Sequence, residues 1–128
     1  MKKKIIATTG APRAIGAYNQ GIVVEGGRLV FISGQLGLNP QTMELASGGA
    51  AAEARQAMEN IKAIVTAAGG TMASIVKATV FLADINDFAV VNEIYASFFS
   101  ADYPARAAFA VAALPKGARV EIEAIAAL

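Results

Sequence analysis

Two apolar runs in the last quarter of the chain constrain its fold more than any other feature. They read Ala105-Arg106-Ala-Ala-Phe-Ala-Val-Ala-Ala-Leu and Val120-Glu121-Ile-Glu123-Ala-Ile-Ala, with Pro115-Lys116-Gly117 between them. Short apolar runs around a Pro/Gly turn predict a β-hairpin. The first run is apolar at both parities, with Ala107, Phe109 and Val111 on one face and Ala108, Ala110 and Ala112 on the other. A strand of that kind needs cover on both sides. One charge interrupts it. A guanidinium keeps its proton and is costly to bury alone, and its planar fork holds a carboxylate through two parallel hydrogen bonds. Arg106 is therefore either a carboxylate clamp or half of a structural ion pair at an interface; position alone weighs the two equally.

Taken in order, residues 3–7 predict a first strand and Thr8–Asn19 a loop carrying Tyr18 near its end. Ile22–Glu25 and Arg28–Ser33 predict a hairpin about Gly26-Gly27. Ala54, Met58, Ile61, Val65 and Ala68 recur at helical spacing, so Ala50–Ala68 predicts a helix stopped by Gly69-Gly70. Ile75–Leu82 reads as a central strand, and Phe88, Val91 and Tyr95 mark a second amphipathic helix. The order β, hairpin, α, β, α, hairpin predicts one α+β domain over residues 1–128, with both helices on one face of a single mixed sheet. Two helices cannot cover both faces, so a closed homo-oligomer is expected to bury the second.

Composition limits the chemistry. The chain has no Cys and no His, which excludes a thiolate nucleophile, a Ser-His-Asp triad, a zinc hydrolase and a His-dependent nuclease. No metal is expected. With a net charge of +1 and no basic cluster beyond Lys2-Lys3-Lys4, a nucleic-acid or membrane surface is not expected. No apolar run approaches the ~18–20 residues of a membrane span, and the N-terminal segment lacks a signal-peptide core, so a cytoplasmic location is expected.

The remaining candidates each have a plainer reading. Glu121 and Glu123 share a strand face, where solvated carboxylates are the ordinary case. If Leu114 pairs with Arg119 across the predicted turn, Ala112 lies opposite Glu121, and Arg106 is then roughly 20 Å away along the strand. Sharing a site would then require a second subunit. Tyr18 reads equally as a pocket phenol or as an aromatic packing its own loop; Asn92 reads as a polar-face residue and Ser33-Gly34 as a strand-end turn.

Several blocks together resemble the reactive-intermediate deaminase family (RidA, YjgF or L-PSP proteins). They are Ala11-Pro-Arg-Ala-Ile-Gly-Ala-Tyr18-Asn-Gln-Gly21, Ser33-Gly-Gln35, Asn60-Ile-Lys-Ala-Ile-Val65, Asn86-Asp-Phe88, and the terminal Pro104-Ala-Arg106 with Leu-Pro-Lys-Gly and Val-Glu-Ile-Glu-Ala. The resemblance spans essentially the whole chain. It implies a chorismate-mutase-like fold with a six-stranded sheet and two helices on one face, closed as a homotrimeric barrel with clefts between subunits. It also implies cofactor-free hydrolysis of enamines and imines such as 2-aminoacrylate, 2-iminopropanoate and 2-iminobutanoate to 2-keto acids and ammonia. By the same resemblance Arg106 clamps the substrate carboxylate and Glu121 handles the attacking water. Tyr18, Ser33, Gly34, Asn92 and Ala108 then line the pocket. The family usually carries Ser-Cys after this Arg; here Ala107-Ala108 stand there. Hydrolysis of an already electrophilic iminium needs no covalent step, so a backbone N–H at Ala108 suffices. The rival readings are a non-catalytic binder of small 2-keto or amino acids, a ribonuclease or translation inhibitor, and a chaperone-like protein.

Overall fold

A computed structural model describes residues 2–128. Six strands and two helices follow the expected order: β1 (Lys2–Ile6), β2 (Gly21–Glu25), β3 (Leu29–Leu36), α1 (Gly49–Ala67), β4 (Ile75–Leu82), α2 (Phe88–Ala96), β5 (Ala105–Ala110) and β6 (Val120–Ala127). The helical stripe reads correctly: Ala54, Met58, Ile61 and Val65 are all buried. Gly37 lets the chain after β3 touch this helix, because a Cβ there would stand 2.5 Å from the Glu53 carbonyl oxygen. Asp84 accepts from the Asn86 N–H at 2.9 Å and starts the turn that leads into α2.

The sheet departs from expectation. The six strands form a two-stranded β1-β2 sheet and a four-stranded sheet of order β3-β6-β4-β5, not one six-stranded sheet. The β2–β3 hairpin is not formed. β2 pairs with β1, while β3 runs antiparallel to β6, setting Val30 and Ile32 beside Ala126 and Ala124 over the core. Two glycines in a row leave the exit direction of a turn free, so partner choice falls to this burial.

The terminal hairpin is also overturned, because β4 lies between β5 and β6. α2 serves as the crossover of a parallel β4/β5 pair. The following loop then carries the chain over the end of β4. There Val111 N–H donates to Leu82 O at 2.8 Å and Ala83 N–H to Arg119 O at 3.0 Å. Lys116 at φ 59 and Gly117 at φ 66 belong to a 3-10 turn in that loop.

Alternation along β4 separates the two sides of the sheet. Ala78, Val80 and Leu82 face the helices with Met58, Ile61, Val91 and Tyr95. Lys77, Thr79 and Phe81 face the other way. That second side is apolar and uncovered: Phe31 is 72 % exposed, Leu29 55 % and Phe109 45 %. Phe109 packs edge-on against Phe81, with ring centroids 5.4 Å apart. One strut links the helices to β6. The buried Glu53 carboxylate accepts from Arg119 N–H at 2.9 Å, and the Arg119 guanidinium grips Asp87 at 3.0 Å.

Candidate active site

Arg106 stands second in β5, on the helix side of the sheet, because its register partner is Ala78. α2, predicted as an amphipathic helix that carries Asn92, builds most of this corner. Phe88, Asn92 and Tyr95 recur at i, i+4 and i+7 and so share a face. Nη1 of Arg106 donates to Asn92 Oδ1 at 2.6 Å. Three rings surround the guanidinium carbon: Tyr95 at 4.9 Å, Phe88 at 5.6 Å and Tyr18 at 5.9 Å. Cations over aromatic faces are held by the ring quadrupole, so the cage fixes the fork without neutralising it. Among the described residues, the only ion pair within 4.0 Å is Arg119–Asp87, which leaves Arg106 without a carboxylate. Burial pulls its guanidinium below the ordinary value, with Tyr95 and then Tyr18 opposing. Burial pushes the Tyr95 phenol well above its ordinary value, against the pull of Arg106. The corner is therefore a partly desolvated cation with one side held and no counter-ion.

Tyr18 arrives by way of its neighbours. Asn19 N–H donates to Pro104 O at 3.2 Å, its side-chain amide bonds Tyr103 O, and the residue bridges Ala105. The Gln20 side chain gathers the loop, accepting from Thr8 N–H at 2.6 Å and donating to Pro12 O at 2.6 Å and Ala11 O at 3.2 Å. The sequence marks Asn19 and Gln20 only as members of the Ala11–Gly21 block that carries the resemblance, with no role for either.

Glu121 lies elsewhere. Its β4 register partner is Phe81, three residues from Ala78, so it occupies the uncovered side of the sheet. Three residues along and two strands across put Arg106 and Glu121 roughly 14 Å apart at Cα, facing opposite ways. The sequence-based expectation that they do not meet within one chain holds, but the reason is the intervening β4 and not the supposed hairpin register. Gly34 does meet Glu121. β3 slips register between Ile32 and Gln35, and a Cβ on Gly34 would lie 2.7 Å from Glu121 Oε2. From there a groove of about 410 Å³ runs past Leu36 and Leu38 to Asn60 and Met43. Ser33, also in this bulge, is exposed and faces a neighbouring hollow of about 360 Å³ with Phe31, Lys77, Thr79 and Glu123. Ala108 shares the helix side with Arg106, packs on the core, and belongs to the sheet's edge strand. Of the residues singled out by sequence, Arg106, Asn92 and Tyr18 converge at one corner and Glu121 and Gly34 at another.

Residues 8–128 match the Endoribonuclease L-PSP family. The chain is 56 % identical to the bovine 2-iminobutanoate/2-iminopropanoate deaminase over 97 % of its own length and 89 % of that protein. A crystal structure of RidA from an Antarctic Psychrobacter shares 53 % identity at a TM-score of 0.76, covering 98 % of this chain and 99 % of that one. Escherichia coli TdcF, solved with bound serine, shares 50 % identity at a TM-score of 0.76, with 98 % of each chain covered.

Proposed function

The chain belongs to the Endoribonuclease L-PSP family, and from that premise we propose that it hydrolyses reactive enamines and imines of 2-amino acids to 2-keto acids and ammonia. Its substrates include 2-iminopropanoate and 2-iminobutanoate, the two in the name of the bovine relative, together with 2-aminoacrylate, the enamine tautomer of the first. The observation that carries this reading is the caged Arg106, a half-buried cation with Asn92 on one nitrogen and no carboxylate partner. Such a fork takes an anionic ligand, and every substrate of this class bears a carboxylate beside the reacting carbon.

The substrate carboxylate pairs with Arg106, with the β5 backbone at Ala108 beside it, and Tyr18 and Asn92 frame the clamp. Glu121 takes a proton from water as the oxygen bonds to the iminium carbon. Glu121 returns that proton to nitrogen and then takes the proton of the new hydroxyl as the C–N bond breaks, so ammonia leaves as the carbonyl forms. An enamine first gains a proton from solvent at its terminal carbon and enters as the iminium. No covalent enzyme intermediate is involved, so Ala107-Ala108 keep the site competent. Arg106 and Glu121 face opposite ways in one chain, so a shared site draws them from different copies. The uncovered apolar sheet face, with Phe31 72 % exposed, supports assembly as a homotrimer with clefts between subunits. No helix among the described residues is long and apolar enough to cross a membrane, and the working partner is a small molecule.

The test generates 2-iminobutanoate in situ with an amino-acid oxidase and captures surviving imine with semicarbazide. Wild-type protein should lower semicarbazone yield, and Arg106→Lys, which keeps the charge but not the fork, should not. Unchanged trapping with wild type would overturn the deaminase in favour of a binding protein.

A further inference from the structure

We infer that the groove leading away from Glu121 receives a large uncharged substrate side chain, and that Met43 sets this preference. The inference rests on the reading that Glu121 faces the reacting carbon, and adds to it which 2-imino acids the site favours. The groove opens at Gly34 and Glu121, where C2 of the substrate would sit, and continues between Leu36, Leu38 and Met43. Its volume of about 410 Å³ would hold on the order of a dozen waters at ~30 Å³ each. The methyl of 2-iminopropanoate or the ethyl of 2-iminobutanoate would leave most of that space to solvent.

The polar uncharged lining is two amides, of which Gln35 donates one N–H to Ser33 O at 3.1 Å and keeps its side-chain oxygen for an uncharged polar group. Asn60 spends its amide N–H groups on Leu36 O at 3.2 Å and Leu38 O at 2.9 Å, and its oxygen accepts from Gln56 at 2.9 Å. It therefore fixes the groove wall and has no free donor for a polar side chain. Glu121 is the one charged residue on the lining. A substrate with a second carboxylate would meet that negative charge with no cation to offset it.

Met43 supplies the independent observation. It has φ 60, in the left-handed region that suits glycine and strains other residues. The turn holds it there: Met43 N–H donates to Asn39 O at 2.7 Å, and Asn39 Oδ1 accepts from Gln41 N–H at 2.8 Å. Backbone economy alone would place glycine at this position. Methionine puts a flexible apolar side chain on the groove lining, able to close over side chains of different shapes.

Stable 2-oxo acids report the preference without turnover. Isothermal titration calorimetry would compare 4-methyl-2-oxopentanoate, 2-oxopropanoate and 2-oxoglutarate on wild type and on Met43→Gly. Each methylene buried is worth about fourfold, so the branched acid should bind at least about tenfold tighter than 2-oxopropanoate, and 2-oxoglutarate weakest. Met43→Gly should cut the branched-acid advantage about threefold, leave 2-oxopropanoate unchanged, and keep or raise the melting temperature, because glycine relaxes at this φ. Equal affinity for the branched and small acids, tighter binding of 2-oxoglutarate, or an unchanged ratio in Met43→Gly would overturn the inference. So would failure of the branched acid to bind. Loss of imine turnover with the affinity order intact would count against the deaminase reading alone.

Discussion

The corner around Arg106 and the groove beside Glu121 are built in opposite ways. Arg106 is enclosed within one chain by three rings and an amide. Glu121 sits on the bare side of the sheet, against a glycine and an open apolar groove. The first is a finished binding element lacking only its anion. The second holds a proton-transfer group and room for a side chain, but nothing for a carboxylate. Each lacks what the other has, which is the physical reason to look for the complete site between copies.

Substitutions at the two corners should therefore fail differently. The largest effect is expected from Glu121→Gln, which keeps the shape and removes the base. Imine hydrolysis should fall roughly 10²–10⁴-fold, while calorimetric affinity for 2-oxobutanoate stays near wild type. Comparable loss of affinity would make Glu121 a binding residue and erase the contrast.

Next is Gly34→Ala. The added Cβ meets the end of a flexible side chain at 2.7 Å, so Glu121 swings aside and folding is little affected. Turnover should drop about tenfold with a near-unchanged melting temperature; wild-type activity would show that the position of the carboxylate is not critical.

The smallest effect is expected at Tyr95, where the account uses the ring and not the hydroxyl. The hydroxyl is buried without a hydrogen-bond partner. Removing it in Tyr95→Phe should change stability by under about 1 kcal/mol at neutral pH, or increase it. In alkali the sign is definite. The folded phenol is raised above its unfolded value of 10.0, so between that pH and the folded value only the unfolded chain ionises. Wild-type stability should fall by up to about 1.4 kcal/mol per pH unit above pH 10. Tyr95→Phe should lack this part of the fall, as chemical denaturation at pH 8 and pH 11 would show.

Both helices and the central strand were legible because periodicity is local: Met58, Ile61 and Val65 announce their own face. Strand pairing was not. The runs flanking Pro115-Lys116-Gly117 and Gly26-Gly27 have hairpin chemistry, yet their ladder partners are β4 and β3 for the first and β6 and β1 for the second. That choice depends on which distant surface buries the strand, and turn residues do not record it. The same limit governs the site. Arg106 was conspicuous as the one charge in an apolar run, but its cage of Phe88 and Tyr95 lay hidden in a helix whose aromatic stripe reads as core. Gly34 against Glu121 follows from a slip in the β3–β6 register, which has no sequence signature.

The most direct test of a site shared between copies is complementation. Arg106→Lys and Glu121→Gln chains, each inactive alone, would be co-expressed with different tags, and mixed assemblies isolated and verified by native mass spectrometry. If one copy supplies the clamp and its neighbour the base, every mixed trimer, of either composition, holds one intact pair among its three clefts, and imine hydrolysis should return to about a third of wild type. Verified mixed assemblies that stay as inactive as their parents would contradict the account.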